Sequence, residues 1–186
     1  MTKFAPTKND LVIRQDILLA LEAGRPQDIE RLRGQIKWDT LVDEGQPLTM
    51  VMGRKLFDTS QFDKRQLENI QDACLALIDC ALQDDRKDIL EHSILTPEGP
   101  RNRTEPFAAL TLSGMDRLLV KFLDAGLDPQ LPFEGAQPDS FNLLQLAEVA
   151  RQATTVGMFH AFAARRFANG ILTTIESNQA KEKSPS

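Results

Sequence analysis

Residues 105–130 read EPFAALTLSGMDRLLVKFLDAGLDPQ, and this stretch decides the fold. Pro106 suits the start of a helix, where its missing N–H is not needed and its φ is already helical. In Ser113-Gly114, the glycine lets the chain reverse without a Cβ penalty. Leu118, Leu119, Phe122 and Leu123 then fall at i, i+1, i+4 and i+5, one apolar face at helical period. Gly126 stands where a left-handed C-cap is wanted, and Pro129 keeps the helix from resuming. The stretch is a helix, a tight turn, a second helix and a stop. It is too small to bury its own apolar face, so similar units must flank it.

On the C-terminal side, Leu131 to Asp139 is loop, with Pro132, Gly135 and Pro138. Ser140 is placed to cap a helix whose Leu143, Leu144, Leu146, Ala147 and Ala150 face inward. A last helix is expected over Thr155–Ala168, carrying Val156, Phe159, Phe162, Ala163 and Phe167 and stopping at Asn169-Gly170. Ile171, Leu172 and Ile175 extend it by a turn or two at most. Residues 176–186 form a polar tail, expected to be disordered.

On the N-terminal side, residues 84–103 are the least regular: a DDRKD cluster, ILEHSIL with one helical turn, and a TPEGPRNR loop. Pro97, Gly99 and Pro100 are read there as excluding regular structure. Arg65–Gln83 is a long helix, with Leu67, Ile70, Cys74, Leu77 and Ala81 at intervals of three and four and Ile78 and Leu82 beside them. Residues 53–64 are loop-like. Gly45-Gln46-Pro47-Leu48 repeats the turn-then-proline helix start, opening a short helix to Met52. Ile36 and Trp38 alternate in an extended, hairpin-like excursion ending at Asp43-Glu44-Gly45. Before it stand a short helix over Gln27–Arg33 and a first helix over Leu11–Ala23, capped at Asn9 or Asp10. The first helix buries Ile13, Ile17, Leu18 and Leu21, and Gly24-Arg25-Pro26 breaks it from the second. Residues 1–8 are a loose arm, and 9–175 form one repeat domain.

Composition bounds the function. The chain has 186 residues, 41% of them hydrophobic, enough for a real core. A net charge of −5 argues against binding along a phosphate backbone. No apolar run approaches the roughly 18 residues of a membrane span. The first ten residues lack the apolar core of a signal peptide, so a cytoplasmic protein is expected. Cys74 and Cys80 lie roughly 120° apart around one helix, too far to bridge each other or share a metal; Cys74 fits an apolar face, and both are read as reduced thiols used as small hydrophobes.

No catalytic constellation emerges. The sequence has no G-x-S-x-G elbow, no phosphate-binding glycine loop, no H-E-x-x-H and no Cys/His metal spacing. His160, beside Phe159 and Phe162, is read as a packed structural histidine. His92, between Glu91 and Ser93, is the weaker alternative: the base of a small helical enzyme built in residues 84–104. No cofactor and no metal are expected.

Pro106-Phe107-Ala108-Ala109-Leu110, then Gly114, Leu118-Leu119, Phe122-Leu123 and Gly126-Leu127-Asp128, resembles an ankyrin repeat. That family opens each unit with T-P-L-H-x-A, turns at a glycine, runs an apolar helix and closes with Gly-x-Asp before a β-hairpin loop. Gly114 and Gly126 are twelve apart, as in the family. Gln46-Pro47-Leu48 resembles the same start, Asn142–Ala147 resembles it more faintly, and Leu19–Gly24 resembles only the end of a unit's first helix. The resemblance implies an all-α, short helical-hairpin solenoid of about four repeats, with insertions at 53–64 and 84–103 and β-hairpin-like loops.

It also implies a non-enzymatic protein-binding module. Partners of that family bind the hairpin tips and the exposed inner helices. Carried to matching positions, this selects Trp38, Asp39 and Glu44 in the first hairpin and Thr49 on the second unit. Arg101 and Arg103 precede the third unit, and Ala108 and Thr111 lie on its opening helix. Asp128, Gln130, Phe133, Glu134, Gln145 and Glu148 surround the fourth. Trp38 and Phe133 are the leading anchors, because large aromatics are over-represented at interface hot spots. The expected partner is a protein, with neither nucleic acid nor membrane bound, and the free chain is expected to be a monomer. An immunity or inhibitor protein that blocks a toxin or enzyme is one such role. A host-directed effector or scaffold is another. A structural subunit that oligomerises through the apolar outer-helix face of an end repeat is the third class.

Overall fold

The computed structural model describes residues 7–43, 62–96, 99–102, 104–131 and 142–182. These residues are predominantly helical. Helix α1 spans Lys8–Glu22 and α2 spans Pro26–Leu32. A short 3-10 turn, Arg33–Gln35, leads to α3, Trp38–Asp43. Helix α4 is Lys64–Gln83 and α5 is Asp88–Ile94. Strands β1, Leu95–Thr96, and β2, Gly99–Asn102, pair antiparallel. Helices α6, Thr104–Leu112, and α7, Asp116–Asp124, are the pair that the central stretch encodes. Helix α8 is Leu143–Val149, and α9 is Ala153–Glu182.

The pairs pack in chain order. Helix α1 packs on α2, α6 on α7, and α8 on α9. Between pairs, α2 lies against α4, α4 against α7 and α7 against α9, while α6 lies against α8. One continuous core of buried residues runs from Ile13 to Phe159. At its centre Phe107 of α6 meets Phe122 of α7 edge to face, ring centroids 5.0 Å apart. Acid–base pairs cross the rank formed by α2, α4, α7 and α9. Arg33 meets Asp84, Arg117 meets Asp72, Lys121 meets Asp79 and Arg165 meets Asp124, each within 2.8 Å. These pairs are partly solvated and each contributes little, but like charges at those positions would oppose the stacking.

Five helices end in one way. After α1, α4, α6, α7 and α8 the chain takes a left-handed residue: Gly24, Asp85, Gly114, Gly126 and Arg151. In each, the next N–H reaches back five residues: Arg25 to Ala20, Arg86 to Ala81, Met115 to Leu110, Leu127 to Phe122 and Gln152 to Ala147. This closure satisfies carbonyls that a helix end leaves open. Gly24 is the tightest of the five. A Cβ there would lie 2.7 Å from Asn69 Cβ and 2.9 Å from the Ile70 backbone nitrogen, so the turn rests directly on α4.

Several expectations are corrected. The segment from Trp38 to Asp43 is helical, not extended: among the described residues no strand pairs with it, and its indole is held against the end of α4. Residues 88–96 and 99–102 form a helix and two paired strands where only one helical turn and loop were expected. A two-stranded ribbon consists of edges alone, which tolerate Pro100 and Gly99. The first helix begins earlier, at a Thr7–Asp10 capping box, rather than being capped at Asn9 or Asp10. Leu82 is exposed. Helix α8 is capped by Asn142 with Gln145. Helix α9 runs to Glu182 through Gly170, well into the segment expected to be a disordered tail. Gly170 does not take the positive φ that ends the other helices, and a glycine in mid-helix costs only about 1 kcal/mol.

Candidate partner-binding site

Of the residues nominated in the first hairpin, Trp38 and Asp39 lie among the described residues. Trp38 is 7% exposed, and its Nε1–H donates to Asp84 Oδ2 at 3.0 Å. Asp84 also accepts from Arg33, at 2.8 Å from Nη2. Asp84 is the C-cap of α4, at the negative end of its helix dipole. Hydrogen bonds from Arg33 and Trp38 hold its carboxyl below the usual carboxylate range. Asp39 has an open side chain, 82% exposed, and pairs with Arg86 at 2.9 Å. Arg86 also takes Asp88 at 2.8 Å, and these charge-assisted bonds raise the guanidinium's pKa. Trp38 is therefore corrected from partner anchor to core plug with a satisfied polar tip.

Ala108 and Thr111 are corrected as well. They are 8% and 0% exposed, inside the core of the third unit. Their equivalents one unit later, Gln145 and Glu148, are exposed. Among the described residues α6 packs against α7 and α8, and Gln145 and Glu148 fall on an exposed side of α8. Glu44, Thr49, Arg103, Phe133 and Glu134 lie outside the described residues, and Arg101 lies on β2. His92 lies on α5, and Ser93 beside it is buried, its hydroxyl donating to the Ile89 carbonyl at 2.7 Å. His160 is exposed, not packed. It is one step, or about 100°, around the helix from buried Phe159.

What the fold does bring together lies at the last two pairs. Asp128 Oδ1 accepts from the Gln130 N–H at 3.0 Å. The Gln130 carbonyl accepts from Asn142 Nδ2 at 3.4 Å. Asn142 Oδ1 accepts from the Gln145 N–H at 2.9 Å, and Gln145 Oε1 accepts from the Asn142 N–H at 3.1 Å. The Leu144 N–H adds a bond to the Pro129 carbonyl at 3.1 Å. Three nominated residues, Asp128, Gln130 and Gln145, thus share one hydrogen-bonded loop base. Arg166 of α9 clamps it from behind at Asp128 Oδ2, 2.8 Å away.

No family model, curated protein or solved structure matches the chain.

Two exposed residues escaped sequence reasoning. Leu112 ends α6 and Val149 ends α8, and they are 46% and 69% exposed. Both sit two residues before the left-handed turn residue of their helix, Gly114 and Arg151, so they occupy the same place in adjacent pairs. Gln152 binds across, its Nε2 donating to the Leu112 carbonyl at 2.8 Å. Their signal in the sequence was an apolar residue at a position where α1 and α4 carry Glu22 and Gln83. Val149 stands beside Glu148 and four residues after Gln145 on α8, and all three are exposed.

Two surface grooves formed by described residues are small. One, about 250 Å³, lies between α7 and α9 and is lined by Val120, Leu123, Met158 and Phe162 with Arg165 and Asp124. The other, about 240 Å³, lies beside the α1–α2 turn. Both fall below the usual size of a small-molecule site. Cys74 and Cys80 are buried free thiols. Burial pushes the Cys74 pKa up to about 12, which leaves it inert rather than nucleophilic. Among the described residues no three metal-ligating side chains cluster, and no helix is long and apolar enough to cross a membrane.

Proposed function

We propose that the chain is a non-enzymatic binding module, a divergent ankyrin-type array of about four helical pairs that grips a protein partner. The loop base at 128–131 and 142–145 and the adjacent ends of α6 and α8 make the contact. The observation that carries this reading is the closure of Asp128, Gln130, Asn142 and Gln145 into one hydrogen-bonded unit. Loops held rigidly on a scaffold are where recognition concentrates, because their side chains are presented without an ordering penalty. The pairing of helices in chain order is the second support. Glu148, Val149 and Gln130 supply charge, apolar area and hydrogen bonding on that surface. The Trp38 region contributes stability, not contact.

The test is affinity capture from the native cell with the wild-type chain and with a Gln130→Ala, Glu148→Lys, Val149→Asp variant. A specific protein captured by the wild type and lost in the variant, at unchanged unfolding temperature, supports the reading. Undiminished capture by the variant removes this surface from consideration.

A further inference from the structure

Helices α1 and α2 share a groove lined by Asp16 and Leu19 of α1, by Asp28, Arg31 and Leu32 of α2, and by Arg25 between them. The α6–α7 pair shows what the same place holds further along the chain. Gly24 and Gly114 are both left-handed and are followed by the same five-residue closure, so the two pairs align on these glycines. On that alignment Leu19, Arg25, Asp28 and Leu32 stand where α6–α7 has Ala109, Met115, Leu118 and Phe122, each 3% exposed or less. Arg31 stands where α7 has Lys121, which reaches Asp79 of α4 at 2.7 Å. The groove therefore lies on the face that corresponds to the side α7 turns toward α4. On α1–α2 this face is open: Leu19 is 46% exposed and the Arg31 side chain 77%.

We propose that a second copy of the chain covers this face, in a two-fold contact of one α1–α2 pair against the other. Charge selects the occupant. Arg25 and Arg31 share one carboxylate, Asp28, at 3.2 Å each, which leaves one positive charge over. On the α1 wall of the groove, the Asp16 side chain has no partner among the described residues. A two-fold axis lying in the face, between α1 and α2, sets each α1 over the α2 of the other copy. Asp16 then meets the surplus arginine of the other copy, and symmetry repeats the pairing. Val12, Asp16 and Leu19 stand at i, i+4 and i+7, so the acid lies between two apolar side chains on one stripe. Val12 is 49% exposed. Nucleic acid and anionic membrane are opposed by Asp16 and Asp28. The α9 side of a second copy cannot supply the acid, because α9 has none from Ala153 to Thr173. The face is small, so the dimer forms with rising concentration rather than permanently. The free chain is then a monomer–dimer equilibrium, not the monomer expected from its sequence. The contact is separated by α4 and α7 from the loop base proposed to grip a partner, so the two do not compete.

Sedimentation equilibrium of the full chain, from low to high micromolar concentration, tests this. The wild-type mass should rise from one copy toward two. Asp16→Arg alone and Arg31→Glu alone each set like charges against each other and should stay at one copy. Mixed in equal amounts, these two variants should dimerise again, because each supplies the charge that the other lacks. Leu19→Ala, which leaves every charge in place, should associate roughly tenfold more weakly. Unfolding temperatures should be unchanged throughout, since all three residues are exposed. A wild-type mass fixed at one copy overturns the proposal. So does a dimer that either charge variant leaves intact, and so does a mixture of the two that stays at one copy.

Discussion

The indole of Trp38 reaches across 46 residues of sequence to hydrogen-bond the C-cap carboxylate of α4, Asp84, at 3.0 Å. The same carboxylate takes Arg33, so α2's end, α3 and α4's end are joined at one residue. Trp38→Ala should destabilise the protein by about 3–5 kcal/mol, the range for deleting a large buried aromatic. Asp84 titrates below the ordinary carboxylate value of 3.8. Its folded pKa is depressed, so its contribution is present above that value and is lost as pH falls through the folded pKa. The stability gap between wild type and Asp84→Asn, by denaturant titration, should therefore close at acid pH. A gap that stays constant down to that range would show that the carboxylate's charge is not what stabilises the joint.

The left-handed turn residues should respond in a graded way. Gly24→Ala meets both a positive φ and the backbone of α4, and should cost about 2 kcal/mol or more. Gly114→Ala meets only the conformational penalty, about 1 kcal/mol. Asp85→Gly and Arg151→Gly relieve that penalty and should each stabilise by about 0.5 kcal/mol, net of glycine's entropy. Thermal unfolding of the four variants checks the order, and equal losses at Gly24 and Gly114 would deny the contact with α4.

Cys74 links stability to alkaline pH. Its folded pKa is raised from 9.0 to about 12 by burial. The thiol's contribution is thus complete below about pH 9 and is lost as pH rises toward 12. Cys74→Ala should flatten that alkaline decline while lowering stability near neutrality by about 1 kcal/mol through the lost volume. In the native state neither Cys74 nor Cys80 should react with a thiol reagent until the chain unfolds. Rapid labelling of Cys74 at neutral pH would contradict its burial.

The helical pairs were legible from local signals. Pro106, Gly114, Gly126 and the Leu118–Leu123 face mark α6 and α7, and three-and-four spacing marks α4. Two capping residues carried no such mark, because Asp85 and Arg151 are not glycines and take the left-handed conformation only where packing compels it. Trp38 was misjudged because alternation over three residues is short, and nothing near it in sequence reveals Asp84. Ala108 and Thr111 look like their equivalents Gln145 and Glu148 in position. Which helices pack against them separates buried from exposed among the described residues.

By itself, then, the sequence determined helices α1, α2, α4, α6 and α7 and the stops at Gly24, Gly114 and Gly126. These depend on neighbours within one or two turns, which spacing and residue type record. The tertiary structure alone decided that Trp38 is core and that Asp128, Gln130 and Gln145 share one loop base. Each of these depends on which surfaces meet across tens of residues, and contact at that distance leaves no period in the chain.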